Sequence, residues 1–122
     1  MSALTDLIAG VPVSDLDAAI DWYSRFFGRP PDRRVGEEML WEVAEHAWLF
    51  IEPNAATAGA GRITFAVTGL DALLERLATA GIDHEPVETY SNGVRHVKVP
   101  DPDGNAIAYA EPPDAASASP AR

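Results

Sequence analysis

The 122-residue chain has no cysteine, which excludes disulfides and thiolate metal sites. It also lacks long apolar runs: none approaches the roughly 20 residues a membrane helix needs. The N-terminus has neither the basic flank nor the long apolar core of a signal peptide. Positive charge is scarce, with 9 Lys and Arg against 19 Asp and Glu and a formal net charge of −10. A field of that sign repels phosphate backbones and anionic lipid, so neither a nucleic-acid nor a membrane partner is expected. The same field attracts a cationic small molecule, although it also serves solubility alone. A cytoplasmic protein is the expectation.

What is present is ordinary globular material, 47% hydrophobic and 23% charged. A chain of this length makes one domain that buries about two-thirds of its unfolded surface. Leu4 to Val13 reads as a strand. Ser14 or Asp15 then caps a helix whose Leu16, Ala19, Ile20, Tyr23, Phe26 and Phe27 recur at helical spacing, and Gly28 ends it. Arg29 to Arg34 is a loop or a poor edge strand. Met39 to Val43 and Ala47 to Glu52 are strands joined by a turn at Glu45-His46. Pro53 to Gly61, rich in small residues, reads as a mobile linker.

A second pass follows. Arg62 to Thr68 is a strand, and a helix with the stripe Leu70, Leu73, Leu74, Leu77 closes at Gly81. Pro86 to Tyr90 and Val94 to Val99 are strands about a Ser91-Asn92-Gly93 turn. Asp101-Pro102-Asp103-Gly104 turns the chain into a last strand, Asn105 to Glu111. Residues 112–122 read as a disordered tail. The order is βαβββ twice, and Val13, Leu16 and Asp17 match Val67, Leu70 and Asp71 across the repeat. The expected class is therefore α+β: two tandem βαβββ modules, 4–52 and 61–111, within a single domain 1–111.

Two such modules resemble the vicinal oxygen chelate superfamily, which contains glyoxalases, bleomycin resistance proteins and extradiol dioxygenases. The resemblance rests on Val13-Ser14-Asp15-Leu16-Asp17 entering a helix, on Trp22-Tyr23 with Phe26-Phe27-Gly28 at its end, and on Asp101-Pro102-Asp103-Gly104-Asn105 before the last strand. It implies a cup-shaped curved sheet with helices outside and, in the metal-dependent members, a divalent ion acting as a Lewis acid. The ligand positions it implies fall on Ile8, Arg62, Ala108 and, at or near it, Phe50. Isoleucine, alanine and phenylalanine offer no lone pair and arginine repels a cation. Only Glu52, two residues on, could ligate, so no metal and no other cofactor is expected.

Strand alternation assigns the remaining faces. Ile8, Trp48, Phe50, Glu52, Arg62, Thr64, His96 and Ala108 would line the cup, with Trp41 and Tyr90 as further members. Arg62 pointing inward would need a partner, with Glu52 as the internal candidate. Such a site suits metal-free sequestration of an aromatic or cationic compound of the bleomycin-resistance type, by a homodimer. The alternatives are a metal-independent isomerase or lyase using His96 or Glu52 as base, and a glyoxalase- or dioxygenase-type metalloenzyme. The same aromatics could equally fill a closed core.

Overall fold

The computed structural model describes residues 3–113. The tail beyond 113 lies outside the described residues. Each helix is preceded by one strand and followed by three, in the order β1 (Leu7–Val13), α1 (Leu16–Phe27), β2 (Arg33–Val35), β3 (Glu38–Ala44), β4 (Ala47–Pro53), β5 (Arg62–Ala66), α2 (Leu70–Thr79), β6 (Glu88–Thr89), β7 (Arg95–Pro100) and β8 (Ala106–Glu111). They form two four-stranded mixed sheets, β1-β4-β3-β2 and β5-β8-β7-β6. In each, the first strand runs parallel to the last one of its module. The first strand begins at Leu7 rather than Leu4, because pairing with β4 starts where Leu7 faces Ala47.

Asp15 is the N-cap of α1 and accepts a hydrogen bond from the Ala18 amide. Ser14 is left free to donate to Asp103. Gly69 opens α2 in the left-handed region and has no side chain to cap with. The cap comes from another element: Glu111 of β8 accepts from the Leu70 amide at 2.8 Å. The C-terminal ends are cross-capped. Arg25 of α1 donates to the Ala80 carbonyl at the end of α2, while Arg76 of α2 donates to the Arg25 and Phe26 carbonyls at the end of α1. Each guanidinium meets the negative end of the other helix's dipole.

One core joins both sheets. Val11, Val13, Leu49 and Ile51 face it from the first sheet, and Val97, Val99, Ile107 and Tyr109 from the second. Phe26 of α1 stacks on Tyr109 at 5.5 Å and also lies against Phe65, so this helix packs on the second sheet as well as its own.

The second tie is the turn between β7 and β8. Asp101 is buried and accepts from the Tyr23 hydroxyl at 2.7 Å, from the amides of Asp103 and Asn105, and from the Asn105 side chain. Asn105 donates to the Pro12 carbonyl and accepts from the amides of Gly59 and Gly61. The expected mobile linker is therefore pinned. Thr57, Ala58 and Ala60 close turns within it, and a side chain at Gly59, whose φ is 96°, would meet the Asp103 carbonyl at 2.7 Å.

Burial, reinforced by the Asp101 carboxylate, pushes the Tyr23 phenol far above the usual tyrosine range, and burial also raises Tyr109. Both folded-state pKa values lie above the unfolded value of about 10. Their contribution is complete below pH 10 and is lost as pH rises from there toward the folded values. Each tyrosine then costs about 1.4 kcal/mol per pH unit. Denaturation midpoints followed between pH 9 and 12 are expected to fall less steeply in Tyr23→Phe than in the wild type. Equal slopes in the two proteins would show that Tyr23 is not the titrating group.

Candidate functional site

Each sheet turns one face to the shared core and the other away from it. In the first sheet the outer face carries Ile8, Gly10 and Pro12 of β1, Trp48, Phe50 and Glu52 of β4, and Leu40 and Glu42 of β3, in the register Ile8-Trp48-Glu42 and Gly10-Phe50-Leu40. Gly10 is required there: a side chain built on it would meet the Phe50 ring at 2.3 Å, so Phe50 lies flat over the strand beside it. Arg33 of β2 reaches over Trp48, 5.8 Å from the ring centre, a cation–π contact. The result is an aromatic surface with an acidic fringe.

In the second sheet the outer face holds Arg62 and Thr64 of β5, Ala106, Ala108 and Ala110 of β8, and His96 and Lys98 of β7, with Thr64 beside Ala108 and Ala108 beside Lys98. Tyr90 stacks on His96 at 5.7 Å. The His96 Nδ1 is buried without a hydrogen-bond partner, 3.8 Å from a Glu88 oxygen.

The expected site residues thus fall into two sets, one on each sheet. Among the described residues no hydrogen bond or ion pair joins one set to the other. Arg62 makes no ion pair among them, with Glu52 or otherwise; it is exposed and needs none. Trp41 is a correction. It is 0% exposed, packs on Tyr23 and Phe27, and donates its indole N–H to the Arg29 carbonyl at 3.0 Å. The cause is a bulge. From Ala44 opposite Ala47, regular pairing would set Trp41 against Phe50. The register instead shifts between Glu42 and Ala44, and Trp41 faces Leu49 on the core side.

Ile8, Phe50, Arg62 and Ala108, where the resemblance implies ligands, carry no group that donates a lone pair to a metal, and the Phe50 ring fills the space over Gly10. Among the described residues no three His, Asp or Glu side chains stand close enough together to hold an ion. The residues present do not fit a divalent metal. No helix among the described residues is long and apolar enough to cross a membrane.

The family model of the Glyoxalase/Bleomycin resistance protein/Dioxygenase superfamily matches residues 6–109. A glyoxalase/bleomycin resistance protein from Catenulispora acidiphila DSM 44928 is 38% identical, with a TM-score of 0.80 over 87% of this chain and 96% of its own. TnmS3, an antibiotic binding protein from Streptomyces sp. CB03234, is 23% identical, with a TM-score of 0.74 over 92% and 99%. A lactoylglutathione lyase from Agrobacterium tumefaciens is 20% identical, with a TM-score of 0.68 over 86% and 91%. No curated protein matches the chain.

Proposed function

We propose, on the premise that the chain belongs to the Glyoxalase/Bleomycin resistance protein/Dioxygenase superfamily, that it is a metal-free binding protein for a flat aromatic or cationic small molecule. What supports this reading is that Ile8, Phe50, Arg62 and Ala108, the positions at which the family resemblance implies metal ligands, offer no donor to a cation. The face on which Ile8 and Phe50 lie is an aromatic surface built on Trp48 and Phe50. A net charge of −10 and the acidic fringe of Glu42 and Glu52 favour a cation over an anion. TnmS3, of the same fold, is an antibiotic binding protein, which sets a precedent for this use of the fold. The working form is a cytoplasmic homodimer that sequesters its ligand between the outer sheet face of one copy and that of the next.

A panel of flat cations, with proflavine and metal-free bleomycin as first members, is expected to raise the melting temperature by several degrees at 100 times Kd. The same compounds should quench Trp48, because Trp22 and Trp41 are buried in the core. Trp48→Phe should abolish the quench. One equivalent of a transition metal in protein purified without chelator would overturn the metal-free reading.

A metal-independent isomerase or lyase is the second reading, favoured by the unpartnered Nδ1 of His96 on the same face as Arg62. Once a substrate is in hand, this reading requires His96→Ala to abolish turnover.

A further inference from the structure

A cavity of about 460 Å³ lies on the opposite, core side of the sheets, between the free edge of β1 and the free edge of β5. Its floor and walls include Phe26 and Phe27 of α1, Phe65 of β5, Tyr109 of β8 and Ala9 of β1. Of the residues expected at the binding site only Trp48 and Thr64 touch it, and Arg76 is the one charged side chain in its lining. The cavity exists because the two edge strands meet at one corner and part at the other. Pro12 and Gly61 are held together there by Asn105, while Leu7 and Ala66 line the cavity at the other end.

An enclosed apolar void of about 150 Å³ stays dry and takes up benzene; this cavity opens to solvent between the two edges. Three times larger and lined by aromatic rings, it has the size and character of a ligand site. It also has convergent polar groups. Gly61 accepts from Ala106 and Val67 donates to Ala110. The odd-numbered residues of β5 therefore bond to β8, and the peptide groups of Thr64 and Ala66 point to the free edge along the cavity. The Arg76 guanidinium already spends donors on the Arg25 and Phe26 carbonyls and stands beside the Tyr109 hydroxyl, and the chain as a whole carries a net charge of −10, so an anion meets few free donors and a repelling field.

We propose that this core-side cavity is a second small-molecule site, separate from the outer sheet faces, for a flat, uncharged aromatic compound with a hydrogen-bonding edge that pairs with the Thr64 and Ala66 peptide groups.

The probe is N-phenyl-1-naphthylamine, with 8-anilinonaphthalene-1-sulfonate as its anionic counterpart. The uncharged dye is expected to bind one per chain, at least tenfold tighter than the sulfonate. Ala9→Phe fills the void, so it should leave the melting temperature unchanged or higher while weakening dye binding at least tenfold. Ile63→Trp, on the core-facing side of β5 at the opposite wall, serves where Ala9→Phe fails to fold. Phe50→Ala, on the outer face, should leave the dye unaffected while weakening the flat cations of the previous section, so the two readings fail independently. Undiminished dye binding in both filled variants would overturn the proposal. So would a tighter sulfonate, or a dye expelled as the chain dimerises, the mark of a second copy seated in the groove.

Discussion

Asn105→Ala is expected to lower the unfolding free energy by about 3–5 kcal/mol. At roughly 4 °C per kcal/mol this is a fall in melting temperature of roughly 12–20 °C, readable by calorimetry. Asn105 is 0% exposed, and both ends of its amide are fully used. Its Oδ1 accepts from the Gly59 and Gly61 amides at 3.0 and 2.7 Å, and its Nδ2 donates to the Pro12 carbonyl and Asp101 Oδ2, each at 2.8 Å. Alanine takes the partner from two donors, the Gly59 and Gly61 amides, and from two acceptors, the Pro12 carbonyl and the Asp101 carboxylate, in three separate chain segments. Asn105→Asp keeps the size but sets a second carboxylate against Asp101 and the Pro12 carbonyl, so it should cost at least as much at pH 7. A melting temperature within 2 °C of wild type for either variant would show that the turn does not clasp the modules. The same loss should loosen the corner where β1 meets β5, and with it both proposed binding surfaces.

Ile8→Glu is expected to convert the proposed dimer to monomer, raising the dimer Kd at least 100-fold, about 3 kcal/mol. Ile8 is 56% exposed and its neighbour Leu7 70%, on a strand whose outer edge pairs with nothing in its sheet. An apolar, unpaired edge invites association. In a two-fold interface the substitution enters twice and adds like charge to a chain already at −10. Light scattering across a dilution series reads the effect. Val35→Glu, 59% exposed on β2 at the far edge of the same sheet, should leave the dimer intact. A dimer lost with Val35→Glu and kept with Ile8→Glu would place the interface on the other edge. The flat-cation response of Trp48 should vanish with the dimer, because each outer face is then left without its counterpart.

Much of the fold was legible because its signals are local. Helical spacing from Leu16 to Phe27, glycines at 28 and 81, and the Asp-Pro-Asp-Gly turn each depend on neighbours in sequence, and each sits where its chemistry predicts. That Ile8 and Ala108 carry no donor atom and Arg62 a cation was legible directly, since side-chain chemistry belongs to each residue alone. Edge strand β2 was only half legible, because three exposed residues carry no apolar alternation.

The face of Trp41 was not legible. One residue of bulge near Val43 moves the indole from the outer surface to the core, and nothing in Met39 to Ala44 announces a bulge. Nor was the pinning of Pro53 to Gly61, whose small residues look mobile until a distant asparagine fills the space their glycines leave.

By itself the sequence determined the repeat, the family and the turn that sets the last strand, all matters of short-range chemistry and spacing. The tertiary structure alone decided which aromatics face outward, that the Asp101–Asn105 turn bolts one module to the other, and that the two free edges part to leave a cavity. These depend on how two sheets meet. That meeting is set by contacts such as Tyr23 with Asp101 and Pro12 with Asn105, 78 and 93 residues apart in the chain, a range at which pattern carries no register.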